Sequence, residues 1–114
     1  MIAVIFEVEP ASGRAGDYFA IATSLKADIE KFDGFVSIER FESVTQPGRF
    51  VSLSFWRDEA AVAAWRNVET HRLAQAKGRS GIFADYRIRV ASVMRDYSMT
   101  ARDEAPTDSR SVHK

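Results

Sequence analysis

The sequence predicts an α+β fold of the ferredoxin-like kind, β-α-β-β-α-β, built on one antiparallel sheet. Three observations carry this. Four β-branched and aromatic runs alternate with two helical stretches in the required order. A strong turn signal, Thr45-Gln46-Pro47-Gly48, joins the second and third runs into a hairpin. Finally, 114 residues suffice for one core but not for a two-domain enzyme with its own cofactor domain.

Residues 2–8 (IAVIFEV) form the first strand, stopped by Glu9-Pro10. Ile2, Val4, Phe6 and Val8 share one face and Ala3, Ile5 and Glu7 the other. Residues 10–16 hold Pro, Ser and two Gly, a loop signal. Asp17 stands where a helix N-cap is expected. Tyr18, Ile21, Ala22, Leu25, Ile29 and Phe32 follow at helical spacing, one buried stripe, with Lys26, Asp28, Glu30 and Lys31 outside it. Asp33-Gly34 ends the helix.

Residues 35–44 return to a strand pattern, with Val36 and Ile38 on one face and Phe35 and Phe41 on the other. In residues 50–57, Val51, Leu53 and Phe55 alternate with Ser52, Ser54 and Trp56. Asp58-Glu59 opens a second helix, acidic where the helix dipole favours it. Ala61, Val62 and Trp65 make its inward stripe. Asn67 is expected to interrupt it, with a second helical piece over 68–77 stopped by Gly78. Residues 83–97 read as the last strand, with Tyr86, Ile88, Val90 and Met94 on one face and Arg87, Arg89, Ala91 and Val93 on the other. The sequence thus divides into a folded domain, 1–99, and a tail, 100–114, rich in Pro, Ser, Thr and mixed charge and expected to be flexible.

Composition narrows the function. Lys+Arg and Asp+Glu each number 16, and this zero balance argues against a general nucleic-acid partner. With no cysteine, disulfides, thiolate metal sites and a Cys nucleophile are excluded. No apolar run approaches the roughly 18 residues of a membrane span. The first ten residues lack signal-peptide features. A soluble, cytoplasmic protein with no membrane partner is the expectation. Eight Phe, three Tyr and two Trp suit core packing, a pocket for a flat ligand, or a subunit interface. Because apolar side chains fall on both faces of the strands, a sheet-to-sheet homodimer is expected.

The stretch 55–97 is more specific. Phe55-Trp56-Arg57-Asp58-Glu59, Ala64-Trp65-Arg66-Asn67, His71-Arg72 with Ala74-Gln75, and Gly78-Arg79, preceded by Phe32-Asp33-Gly34-Phe35 and Glu39-Arg40-Phe41, resemble the antibiotic biosynthesis monooxygenase family. The resemblance covers roughly residues 1–99. It implies a dimeric α+β barrel and oxidation of small aromatic compounds with molecular oxygen, often without metal, flavin or other cofactor. In that chemistry an electron-rich phenolic substrate, deprotonated in an apolar pocket, itself reduces oxygen. The protein supplies a dry cavity, a base or donor, and orientation. Another branch of the family degrades haem, with a His on the second helix, a Trp one helical stretch earlier and an Asn on the first strand. Here Trp65 matches the Trp. The His position falls at or beside Gln75, with His71 one turn earlier. The first-strand counterpart of the Asn falls near Ile5, and Asn67 is the sole Asn of the chain.

His71 is then the prime candidate for catalysis, since histidine is the side chain type whose ordinary pKa lies nearest neutrality. A capping or bridging role on the helix is the structural alternative. His113, in the tail, is discounted. Trp65, Phe83 and Tyr86 are candidates for the pocket wall, with core packing as the alternative, and Tyr86 adds a hydroxyl donor. Glu7 is a second base candidate. Arg40, Arg87 and Arg89 are expected to pair with acids such as Glu39, Glu42 or Asp85 across strands or across the dimer, with binding of a ligand carboxylate as the alternative. There is no nucleotide-binding glycine loop, and His71 with the carboxylates shows no metal-ligand spacing. The reading is a cofactor-independent monooxygenase acting on a small aromatic or quinol-type metabolite. The alternatives are a haem-binding or haem-degrading protein and a non-catalytic ligand-binding dimer.

Overall fold

Strand β1 (Ile2–Pro10), helix α1 (Ala15–Glu30), strands β2 (Phe35–Glu42) and β3 (Phe50–Trp56), helix α2 (Glu59–Gln75) and strand β4 (Phe83–Ser92) follow one another in the order expected. The computed structural model describes residues 1–75 and 81–108, and the side chains among these except those of 70–75. The strands form one antiparallel sheet in the order β2-β3-β1-β4. The interior strands are therefore β1 and β3.

Alternation decides what each face carries. Ile2, Val4, Phe6 and Val8 pair across the ladders with Trp56, Ser54, Ser52 and Phe50 and with Ser92, Val90, Ile88 and Tyr86. This face meets the helices. Val8 and Trp56, essentially inaccessible, cluster there with Tyr18, Ile21, Leu25 and Ile29 of α1 and Ala61 and Trp65 of α2. The opposite face carries Ala3, Ile5, Val51, Leu53, Phe55 and Phe41 around Glu7, Arg87 and Arg89.

The helix boundaries follow local chemistry. α1 starts at Ala15, ahead of the expected cap. Asp17 instead lies in its first turn, where its carboxylate accepts a hydrogen bond from the Arg14 guanidinium. Asp58 caps α2, its carboxylate accepting from the Ala61 N–H at 2.9 Å. That bond and Arg57 hold the Asp58 carboxyl below the usual carboxylate range. Arg57 also makes a two-pronged contact with Asp33, 3.1 Å on each prong, and its backbone N–H donates to Gly34 O at 2.7 Å. The turn after α1 is thereby tied to the start of α2. Gly34 has φ +89°, and a Cβ there would stand 2.5 Å from that of Ala61. Only glycine meets both demands.

Three expectations are corrected. α2 runs unbroken through Asn67, which is exposed on its outer side; the helix-propensity penalty of one Asn is small beside a long helix with a packed stripe. β4 stops at Ser92 rather than Tyr97, because Ile2, its partner there, is the first residue of β1; one further bond, Val93 N–H to Met1 O at 3.0 Å, closes the ladder. Phe35 and Phe41 do not share a face. A register shift between Phe35 and Ser37 sets Phe35 against Trp56, ring centroids 5.5 Å apart, while Phe41 pairs with Val51 on the opposite side. In the described part of the tail, Ala105 is buried and Arg102 lies over the Tyr97 ring at 5.1 Å.

Candidate functional site

Between the sheet and the two helices lies a cavity of about 150 Å³. Its origin is visible in β3. Between Phe50 and Trp56, that strand turns Ser52 and Ser54 toward the helices, and their short side chains leave room beneath them. Val4, Phe6, Ile38, Ile88 and Val90 complete the sheet wall, and Tyr18, Ile21, Leu25 and Ile29 of α1 with Val62 and Trp65 of α2 the opposite one. A cavity of about this size holds a single benzene-sized ring.

The aromatic wall is fixed by packing. Trp65 stacks on Trp56 at 6.2 Å and meets Phe32 edge-on at 5.5 Å. The Trp56 indole N–H donates to Ser54 Oγ at 2.9 Å, so both groups are satisfied away from water. Phe83 packs edge-on against Phe6 at 6.1 Å and against Tyr18 at 6.1 Å.

Polar groups are few. Lys26, Arg40, Arg66 and Glu69 line the cavity. Burial raises the Glu69 carboxyl above the usual range; Arg40, a hydrogen bond from Trp65 and Arg66 act in the opposite sense. The Tyr18 hydroxyl is buried with no hydrogen-bond partner among the described residues. An acid with raised proton affinity beside an indole and a mostly apolar chamber is an arrangement suited to moving a proton to or from a bound ring.

Of the residues singled out from the sequence, Trp65 and Phe83 line this cavity. Tyr86 shares their sheet face but is 58% exposed, packed on Phe6 at 5.8 Å and Phe83 at 5.9 Å, outside the lining proper. Glu7 lies on the other sheet face, with Arg89 at 3.1 Å and Arg49 at 3.7 Å, and the structure does not bring it to the cavity. His71 belongs to α2, but its side chain, like His113, lies outside the described residues. Sequence reasoning passes over Lys26, Arg66, Glu69 and Tyr18 as site residues. Lys26 falls outside the buried stripe of the first helix and Tyr18 within it, Arg66 stands only in the family phrase, and Glu69 carries no signal.

Haem does not fit the described lining. It offers no His, Cys or Met, and no cluster of acids and His among the described residues could hold a metal ion. Tyr18 carries an oxygen of a kind that can ligate haem iron, yet the chamber around it has the volume of a small ring, not of a porphyrin.

A family model described as antibiotic biosynthesis monooxygenase matches residues 1–77. The chain is 45% identical over 93 residues to the jasmonate monooxygenase ABM of Pyricularia oryzae, covering 82% of this chain and 43% of that protein. It is 36% identical over 72 residues to YqjZ of Bacillus subtilis, covering 63% of this chain and 59% of that one. The match thus spans about half the length of these curated relatives. Among solved structures, Rv0793 from Mycobacterium tuberculosis superposes with a TM-score of 0.72 at 19% identity, over 85% of this chain and 98% of that one. The haem degrader MhuD of the same organism, solved with two haems in its active site, gives 0.65 at 17% identity, over 86% and 100%. These structural likenesses concern the fold.

Proposed function

The chain belongs to the antibiotic biosynthesis monooxygenase family, and from that premise we propose that it is a cofactor-independent monooxygenase acting on a small, single-ring aromatic or quinol-type metabolite. The observation that carries the reading is the cavity of about 150 Å³ between sheet and helices, walled by Trp56, Trp65, Phe6 and Phe83 and open to solvent along Ile88 and Val90. Its apolar wall shields one side of a flat ring from water and sets it beside one carboxylate. The 45% identity to an enzyme named for jasmonate oxygenation supports oxygen chemistry on a small ring.

The balanced reaction converts a ring C–H of a phenol or quinol, a CH₂ in its keto tautomer, into C=O. One atom of O₂ enters the product, and the other leaves as water with both hydrogens. The substrate supplies all the electrons. A base removes the first proton, and the resulting anion passes one electron to O₂. Recombination forms a C–O bond, and loss of water completes the step. Among the described side chains lining the cavity, the base role is assigned to Glu69. His71, on the same helix two residues on, remains the candidate carried from the sequence.

The apolar sheet face is proposed to pair with a second copy of the chain. Ile5, Val51, Leu53 and Phe55 there are each only half-buried, and the Glu7–Arg89 pair beside them offers charge that a two-fold partner can match.

The test is oxygen uptake by metal-depleted protein given single-ring quinols and phenols and jasmonate, with ¹⁸O₂ and mass analysis of the product. One labelled atom in the product without added cofactor is expected. Uptake only after haem addition, with a Soret band, would overturn the reading.

A further inference from the structure

We infer that the cavity selects small ring compounds bearing a carboxylate, held by Lys26 and Arg40 with Arg66, and that the Tyr18 hydroxyl takes the hydrogen bond of a second oxygen on the ring; the inference rests on the cavity being the substrate site.

Two independent observations lead here. The first is charge. Three cationic side chains, Lys26, Arg40 and Arg66, line a chamber otherwise walled by aliphatic and aromatic groups, against the single carboxylate of Glu69. All three are solvent-exposed and stand at the margin of the chamber on three different elements, α1, β2 and α2, so the tertiary fold and not a charged run in the sequence brings them to one cavity. A neutral substrate has no use for that excess. A carboxylate accepts charge-assisted hydrogen bonds from such groups, and an Arg guanidinium can meet it with two parallel bonds.

The second is the orphaned hydroxyl. Tyr18 is 4% exposed, lines the same cavity, and its hydroxyl has no hydrogen-bond partner among the described residues. Buried hydroxyls are ordinarily partnered. The Tyr18 ring is fixed among Phe19, Phe50 and Phe83, at 5.3, 6.3 and 6.1 Å, so it cannot swing freely to find one. Tyr18 lies near the start of α1 and Lys26 two turns on, about 12 Å along the helix axis at 1.5 Å per residue. The two polar features therefore sit at different levels of the chamber. A ligand that satisfies both has an oxygen on its ring and a carboxylate on a short arm.

The two tryptophans of the chain, Trp56 and Trp65, both line the cavity, so binding is read by their fluorescence without any turnover. The probes are 4-hydroxyphenylacetate, phenylacetate and 4-hydroxyphenylacetamide. The acid is expected to bind about tenfold tighter than its amide at low salt. The gap should close near 1 M salt, where charges are screened within about 3 Å. Lys26→Gln with Arg40→Gln should close most of the gap, with the acid losing far more affinity than the amide. Tyr18→Phe should erase the preference for 4-hydroxyphenylacetate over phenylacetate. An amide that binds as tightly as the acid, or a gap surviving in the double variant, overturns the carboxylate assignment while leaving the cavity reading intact. An unchanged preference in Tyr18→Phe overturns the role of Tyr18. Absence of any fluorescence change with all three probes at millimolar concentration overturns both the inference and the cavity reading on which it rests.

Discussion

Ser52→Val tests the cavity most directly, because it sets stability against function in one variant. Ser52 is buried on the interior strand β3, between Phe6 and Arg40 across the two ladders, and its side chain lines the chamber. Ser54 is a poorer choice, since its loss would orphan the Trp56 indole N–H. At about 24 cal/mol per Å³ of cavity, an empty chamber of 150 Å³ corresponds to about 3.6 kcal/mol of forgone packing. Valine fills only part of it. Exchanging a hydroxyl for two methyl groups buries roughly one methylene more of apolar volume and removes a polar group, worth about 1 kcal/mol. Val also suits a strand better than Ser. Melting should rise by about 4–8 °C, the usual response of a small domain to about 1 kcal/mol. Ligand-induced quenching and oxygen uptake should both fall at least about tenfold, because the new methyls occupy the ring's place. Calorimetry and oxygen uptake on the same preparation decide the matter. A lower melting temperature would mean that no free volume lies beside Ser52. A higher one with activity and quenching intact would mean that the substrate does not enter this cavity.

Three further predictions follow. Glu69 has a carboxyl pKa raised chiefly by burial, so the folded state holds its proton in a window where the unfolded chain, near pKa 4.3, has released it. Stability then falls as pH rises through the folded-state value. Glu69→Gln should accordingly match wild type below about pH 4, melt higher at pH 8, and turn over more slowly; a melting difference that does not change with pH would refute this. His71→Ala is expected to lower turnover by about 10²–10⁴ and stability by about 1 kcal/mol, and full activity with a large fall in melting temperature would make His71 a structural tie. Light scattering should find a dimer for the native chain and a monomer for Leu53→Glu, which places a charge amid the half-buried Val51, Leu53 and Phe55; a native monomer at micromolar concentration would refute the pairing.

The element order was legible because periods of two and of 3.6 are written directly into the chain, and Pro47-Gly48 punctuates the hairpin. What escaped was decided by partners. Nothing within residues 83–97 says where the ladder with β1 runs out, and nothing within residues 35–42 reveals the register shift that moves Phe35 to the helix face. The site divides in the same way. Trp65 and Phe83 belong to apolar patterns whose inward side is readable. Lys26 and Glu69 sit on helix flanks, where a charged residue ordinarily meets solvent. Only the placement of both helices over the short serines of β3 brings them to a cavity. Tyr18 was legible as core, but the lack of a partner for its hydroxyl is a property of the folded surroundings and of no local pattern. Glu7 illustrates the converse. Its strand position suggested a pocket, and its register against Arg87, with Arg89 two residues on, puts it on the other face.

The alternation of β3 is the one choice from which both the cavity and the apolar sheet face arise. A strand beneath two helices usually turns its larger apolar residues toward them. Here Val51, Leu53 and Phe55 point away from the helices, while Ser52 and Ser54 point toward them. The reversed pattern, with valines at 52 and 54 and serines at 51 and 53, would give a better-packed monomer without a chamber. The native pattern leaves volume under the helices and apolar surface outside, and the second consequence is tolerable only if that surface is covered. The proposed dimer supplies the cover, so the stability forgone at the cavity is regained at the subunit interface. On this account Ser52→Val should make the fold less dependent on its partner. Combined with Leu53→Glu, it should yield a folded monomer, whereas Leu53→Glu alone should melt at a temperature well below that of the native dimer. Thermal melts of the four proteins, with masses from light scattering, test this. If Ser52→Val raises melting in the native background but does nothing for the Leu53→Glu monomer, the cavity and the interface are not linked through β3.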